Sequence, residues 1–291
     1  MGMVGASAGV LPFRTVAIVG VGLLGGSLGM ALRERRLARR VVGVGRRQAA
    51  LDRALALGAV DEATVDLRAA VREAELVVLA TPVGAMVGVA REAADAMPRS
   101  ALMTDVGSTK ARLVSAIEGL AGGRFRYVGA HPMAGSEKRG VDGAAAGLFD
   151  GALCFVTPTP RTDARALAAV SELWQALGAR VRCLDPAEHD RLLASASHLP
   201  HLVAAALVNS TTPDALACAG PGFRDTSRVA SGDPRMWADV CLQNRERILD
   251  ALTRFEQQAS ALHRILSDGD EPLLLAWLES AKAARDHHLS Q

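Results

Sequence analysis

Over the first 185 residues, short apolar runs alternate with longer Ala-, Leu- and Arg-rich stretches. Thr15–Val19 is β-branched and apolar and runs straight into Gly20, and Val41–Val44, Leu76–Ala80 and Ala101–Thr104 repeat the pattern. Tyr127–Ala130, Ala152–Thr157 and Ala179–Leu184 are further strand candidates. Strands alternating with helical stretches predict βαβ units and a parallel, doubly wound sheet. The pattern changes at Asp185-Pro186, and no strand is predicted beyond it. Residues 187–212 read as a helix that Pro200 kinks or splits. A Gly- and Pro-containing turn follows at Ala219–Phe223. From Pro234 a long helix carries Cys241, Asn244 (the polar exception), Ile248, Leu252, Phe255, Ala259, Leu262 and Leu266 at steps of three and four. Ser267–Asp270 ends it, and Pro272 opens a last helix bearing Leu273, Leu274 and Trp277.

The expected organisation is a mobile leader over 1–13, an α/β doubly wound N-terminal domain over 14–186 and an all-α C-terminal domain over 187–291. The long apolar stripe exceeds what a small helical domain covers with its own chain. Homodimerisation through this half is therefore expected.

Composition narrows the function. The 291 residues include 33 basic and 31 acidic side chains, a formal charge of +2, which argues against an electrostatic nucleic-acid binder. Three Trp, one Tyr and six Phe are too few for base-stacking platforms. No unbroken apolar run reaches the roughly 20 residues of a membrane span. Cys154, Cys183, Cys218 and Cys241 are far apart, without a C-x-x-C pair, which disfavours zinc knuckles and a disulfide framework. The leader lacks a basic n-region, so a secretory signal is not expected and the cytoplasm fits best.

Gly20-Val-Gly22-Leu23-Leu24-Gly25 is a G-x-G-x-x-G between the first strand and the first helix. In a Rossmann-type domain the first glycine permits the tight turn, the second lets the backbone approach a pyrophosphate and the third allows close helix–strand packing. The second strand ends Gly43-Val-Gly45-Arg46-Arg47, with glycine near the position where an acidic residue would bind the ribose of NAD. A missing carboxylate followed by guanidinium groups tolerates or favours a 2′-phosphate, so NADP use is expected, with NAD accepted as well. The plainer alternative leaves Arg46 and Arg47 solvated at a helix start. Thr81-Pro82, after the strand beginning at Leu76, is expected to line the cofactor cleft.

Two later loops at strand ends are polar and glycine-rich: Asp105-Val-Gly-Ser108-Thr-Lys110 and His131-Pro-Met-Ala-Gly-Ser-Glu137-Lys138. A third polar set lies in the helical half, at Ser197-His198-Leu-Pro-His201 and Phe223-Arg224-Asp-Thr-Ser-Arg228. Together with Gly20–Ser27 and Asp233–Trp237, these six segments, in this order, closely resemble the prephenate/arogenate (cyclohexadienyl) dehydrogenase family of tyrosine biosynthesis. The resemblance covers residue 15 to at least 250, and no regulatory or chorismate mutase segment is visible.

The resemblance implies oxidative decarboxylation of a cyclohexadienol, with hydride passing to NAD(P). It implies His131 as acceptor of the hydroxyl proton, a task suited to an imidazole that titrates near working pH. Ser108 is implied to bond the same hydroxyl or place the nicotinamide; capping the following helix is its alternative. Arg228 is implied to grip a substrate carboxylate, which its bidentate guanidinium suits, against the alternative of a salt bridge with Asp225 or Asp233. His201 is the family candidate for contact with substrate. Arg224 stands where some relatives carry lysine, which leaves its role open. Glu137 and Lys138 are candidates for gating the pocket or binding the side chain, whereas for Glu137 and Asp142 solvated loop charges are the alternative. No metal is expected, because no cysteine or carboxylate completes a zinc set around His198 and His201.

A hydroxyacid dehydrogenase with a helical second half is the nearest rival. It requires a catalytic lysine there, and from Pro186 onward only Lys282 is present. A non-catalytic dinucleotide sensor is expected to have lost His131, Ser108 or Arg228, and all three remain.

Overall fold

The computed structural model describes residues 12–135 and 140–289. Eight strands form one sheet: β1 (Phe13–Val19), β2 (Ala38–Val44), β3 (Glu62–Thr64), β4 (Leu76–Leu79), β5 (Leu102–Asp105), β6 (Arg126–Pro132), β7 (Leu153–Thr157) and β8 (Arg180–Cys183). Their order is β3-β2-β1-β4-β5-β6-β7-β8. Helices α1 (Leu23–Glu34), α2 (Gln48–Ala56), α3 (Leu67–Val71), α4 (Val83–Ala94), α5 (Ala111–Ala121) and α6 (Ala164–Ala176) intervene. Alternate residues of each central strand feed opposite cores. Val16 and Ile18 of β1 pack on one face of the sheet, and Ala17 and Val19 on the other. Both faces are thus covered, as a parallel sheet requires, and each buried aliphatic side chain contributes roughly 2 kcal/mol.

The chain reverses its course across the sheet between β3 and β4, so β1 lies beside β4. This switch point opens a crevice at the carboxyl ends of the strands, the usual ligand position in such a sheet.

Three expectations need correction here. β1 begins at Phe13, inside the expected leader, whose residues 1–11 lie outside the described residues. β3 is a strand that no apolar run announces, being only Glu62-Ala63-Thr64 at the sheet edge. The sheet is also not wholly parallel: β7 runs antiparallel to β6, and β8 parallel to β7. The described residues between β6 and β7 hold two 3-10 turns, Val141–Gly143 and Ala146–Phe149, rather than the long helix a parallel crossover uses.

Beyond β8 the described residues are helical: α7 (Pro186–Leu193), a π-helical turn (Ala194–His198), α8 (Leu199–Ser210), α9 (Pro213–Ala217), α10 (Pro221–Ser227), α11 (Pro234–Gln243), α12 (Arg245–Asp268) and α13 (Glu271–Leu289). Asp185 caps α7, accepting from the Ala187 and Glu188 amides at 2.8 and 3.2 Å. Pro200 sits in the first turn of α8, where its missing N–H costs little, and the π-turn just before it absorbs the break. The run Pro186–Ser210 is long and apolar enough to cross a membrane, contrary to expectation, yet its His189 and Asp190 are buried in hydrogen bonds to the α/β layer.

The expected turn at Ala219–Phe223 is also shorter than read, because Pro221 opens α10 and Phe223 is helical. The single long helix expected from Pro234 is two helices. Asn244 interrupts it with φ −111° and ψ 27°, its side-chain amide turned inward. The compact units of the fold divide just there, between Asn244 and Arg245. Within the second unit, α12 and α13 turn at Gly269 (φ +65°), and Trp277 Nε1 donates to Gln258 Oε1 at 3.2 Å.

Candidate active site

The dinucleotide cradle is built at the β1–α1 turn. Gly20 has φ +104°, and a Cβ there would lie 2.5 Å from the Ala80 carbonyl oxygen. A Cβ on Gly25 would stand 2.0 Å from the Gly20 carbonyl oxygen, so the helix start packs directly on the turn. Nothing lies within 4 Å of a Cβ built on Gly22, which leaves its backbone bare toward open space. Gly22 caps α1 with no side-chain bond and no acidic residue in the first turn, so the amides after it, Leu23 and Leu24 included, present an uncompensated positive end. That is the environment a pyrophosphate takes. Arg46 and Arg47 are exposed after β2, and Arg47 starts α2 without a side-chain cap. Thr81 and Pro82 follow β4, with Pro82 capping α4. The residues present fit a dinucleotide.

The carboxyl ends of β5 and β6, in the same sheet, hold a buried polar centre. Lys110 is fully buried; its ammonium pairs with Asp105 and donates to the Ala130 carbonyl at 2.8 Å. Asp105 also accepts from the Gly107 amide and the Tyr127 hydroxyl, each at 2.7 Å. Burial and the Asp105 charge push the Tyr127 hydroxyl well above its ordinary pKa, keeping it a neutral donor. Removing one partner of such a buried pair strands the other charge, at a cost of about 3–5 kcal/mol.

His131, near the end of β6, adjoins this pair and is 8% exposed. Its Nδ1 lies 2.9 Å from Nε2 of His189, whose Nδ1 lies 2.8 Å from Oδ1 of Asp190. Burial, then the neighbouring His189, Lys110 and His198, hold the His131 imidazole well below the usual histidine range, so it is neutral at neutral pH. Asp190 reaches across to the N-terminus of α5, its two oxygens accepting from the Lys110 and Ala111 amides at 2.7 and 2.8 Å.

The helical segments add a second group. His201 stacks on Trp237 with ring centroids 3.6 Å apart, and its Nδ1 lies 2.9 Å from the Ser197 carbonyl. Burial lowers its pKa, and the Arg228 guanidinium is near enough to lower it further. Arg228 opens the short turn Arg228–Ser231 and is exposed, as is Arg224 four residues earlier on α10. His198 is buried, and burial lowers it to about 4. Its Nδ1 lies 3.2 Å from Asn244 Nδ2, which also donates to the Asp190 carbonyl at 2.8 Å.

Of the residues singled out from the sequence, His131 stands beside the Asp105–Lys110 pair, and Arg228 stands beside His201. Ser108 is half-buried in the same loop as Lys110. It does not cap α5, as its alternative role required, because Lys110 occupies the cap and Asp190 satisfies the leading amides. Asp142 is a surface partner of Arg53 at 2.6 Å. Glu137 and Lys138 lie outside the described residues. Sequence reasoning passed over His189, Asp190 and the inward role of Asn244. Their signal is faint: His189 and Asp190 take places in the buried stripe Pro186, His189, Asp190, Leu193 of α7, where apolar residues are the rule.

The family model described as "Prephenate dehydrogenase, nucleotide-binding domain" matches residues 28–183, and "Prephenate dehydrogenase, dimerization domain" matches 185–280. A prephenate dehydrogenase of Bacillus subtilis is 34% identical over 94% of this chain and 75% of its own length. A cyclohexadienyl dehydrogenase of Zymomonas mobilis is 34% identical over 94% of this chain and 95% of its own. The crystal structure of prephenate dehydrogenase from A. aeolicus, in complex with hydroxyphenyl propionate and NAD+, superposes with a TM-score of 0.88 at 34% identity, covering 94% of this chain and 98% of that one. On the fold, the cradle and these matches, the chain belongs to the prephenate dehydrogenase family, whose members are NAD(P)-dependent oxidoreductases.

Proposed function

We propose that the site oxidatively decarboxylates prephenate, arogenate or both, with His131 as proton acceptor, Ser108 bonded to the reacting hydroxyl, and His201 and Arg228 on the substrate. The observation that carries this is a neutral, nearly buried imidazole at the carboxyl edge of the same sheet whose β1 end carries the dinucleotide cradle. When bound, the nicotinamide ring supplies the hydride acceptor for substrate C4. His131 takes the hydroxyl proton as the C–H hydride leaves. The electron pair of the bond to the departing carboxylate then enters the ring, carbon dioxide leaves, and the resulting phenolate recovers the proton from His131. Lys110, tied to Asp105 and Ala130, adds a fixed positive charge that disfavours an imidazolium before the substrate arrives. Arg228, exposed beside His201, suits bidentate capture of a carboxylate. Arg224 and Glu137 are secondary candidates for the substrate side chain.

Arg46 and Arg47, exposed beyond β2 with no carboxylate at its end, favour acceptance of NADP beside NAD. The functional halves divide at Asp185-Pro186, a reading supported by the two family matches on either side. The helical half, 187–291, pairs with a second copy. Leu249, Phe255, Leu266, Leu273, Leu275 and Leu278 are exposed on α12 and α13, and the match to a dimerization domain supports the same reading. The four cysteines are free, in keeping with a cytoplasmic setting.

Initial rates with prephenate and arogenate crossed against NAD and NADP test the proposal. A rate in any of these combinations supports the reaction and fixes substrate and cofactor. No rate in all four, with dinucleotide bound, overturns it.

A further inference from the structure

The geometry points to His189 and Asp190 as positioning residues that fix His131 as the Nδ1–H tautomer, leaving Nε2 as the atom that accepts the substrate proton. This rests on the role given to His131 above. The Asp190 carboxylate accepts from the amides of Lys110 and Ala111 and lies 2.8 Å from Nδ1 of His189. Both Asp190 oxygens already act as acceptors toward amides, and the contact with His189 Nδ1 is completed by hydrogen on that nitrogen. His189 is fully buried, with Phe155 edge-on to its ring at 5.4 Å, and burial disfavours its charged form. The neutral ring then has a bare Nε2. His131 Nδ1, 2.9 Å away, must donate to it. One proton position follows from another, back to a carboxylate anchored on the N-terminus of α5.

Further titratable and charged groups stand around His131. Lys110 and Asp105 stand at the start of α5 and the end of β5, His198 in the π-turn, and Cys154 on β7, paired in the sheet with Pro132. Lys110 carries a fixed positive charge that disfavours a second positive charge on His131. When the hydroxyl O–H bond breaks and the N–H bond forms at Nε2, the imidazolium is stabilised through His189 by the Asp190 carboxylate. The proton goes back to the phenolate oxygen after carbon dioxide leaves, and the three side chains return to their starting state.

Two measurements on the full-length protein test this. NMR of the wild type with ring-nitrogen-labelled histidine is expected to show His131 with a protonated Nδ1 and a bare Nε2 at neutral pH. The reverse tautomer, or a charged His189, overturns the proposal whether or not the enzyme turns over prephenate. Separately, His189→Leu removes the acceptor. We expect kcat to fall on the order of 10²-fold and its acid limb to move, with the KM for dinucleotide unchanged. His189→Gln, whose amide oxygen accepts from Nδ1, is expected to recover most of that loss. An unchanged kcat and pH profile in His189→Leu, or no recovery in a folded His189→Gln, overturns it. Should His189→Leu fail to fold, the wild-type spectrum still decides.

Discussion

His131 and His189 meet nitrogen to nitrogen at 2.9 Å, in a part of the molecule where both rings are buried. Two neutral imidazoles at that distance share one hydrogen, so the protonation of the first is tied to that of the second. The second is tied to Asp190, and Asp190 to the start of α5. The backbone amide of Lys110 after β5, a strand histidine and a helix of the other family-matched segment therefore act as one hydrogen-bonded unit.

The cradle separates two glycines by what surrounds them. Gly25→Ala places a Cβ 2.0 Å from a backbone oxygen, and we expect a stability loss of about 1–3 kcal/mol or more, read as a fall in Tm. The Cβ of Gly22→Ala meets no protein atom within 4 Å, so Tm should hold while the KM for dinucleotide rises at least ~10-fold, because the methyl group enters the space a pyrophosphate occupies. A Gly22→Ala enzyme with wild-type dinucleotide affinity would remove this turn from the binding site.

Replacing Arg46 and Arg47 together by alanine should raise the KM for NADP by about 10-fold or more and change that for NAD little. Charge-assisted bonds to a phosphate are worth about 1.5–3 kcal/mol. Equal effects on the two cofactors would show that these arginines do not read the 2′-phosphate.

Arg228→Ala should raise the KM for the cyclohexadienol about 10- to 100-fold while the KM for dinucleotide stays put, the signature of a lost carboxylate clamp. An unchanged substrate KM would rule that role out.

Acid should destabilise the fold through its buried histidines. His198 titrates at about 4 in the fold against an ordinary 6.5, so the unfolded chain takes up the proton first. Its contribution is complete above about 6.5 and is lost as pH falls toward about 4, up to roughly 3 kcal/mol. His131 and His189, also lowered, act in the same direction. Urea midpoints measured across this interval should decline, and His198→Gln should flatten the decline. A pH-independent midpoint in the wild type would mean the rings take up protons in the fold as readily as in the unfolded chain.

Much of this was legible in the sequence because it is carried by local pattern. The strand runs at Thr15, Val41, Leu76 and Tyr127 are buried on both faces and read as continuous apolar segments, and the glycines at 20, 22 and 25 answer to one turn. What escaped depends on distant partners. β3 exists because β2 lends it an edge, not because Glu-Ala-Thr prefers to extend. The helix break at Asn244 follows from bonds to Asp190 and His198, 54 and 46 residues away, which no local periodicity contains. His189 and Asp190 were hidden for the same reason, since a polar pair inside a helical stripe looks like noise until the strand histidine it serves is placed beside it.

The most direct measurement is kcat for His131→Asn beside its dinucleotide Kd. Asparagine can keep a donor toward His189 but has no basic atom to offer the substrate. The site described here predicts a fall in kcat of about 10²- to 10⁴-fold with Kd nearly unchanged. A near-normal kcat would contradict it, and would remove His131 from the reaction.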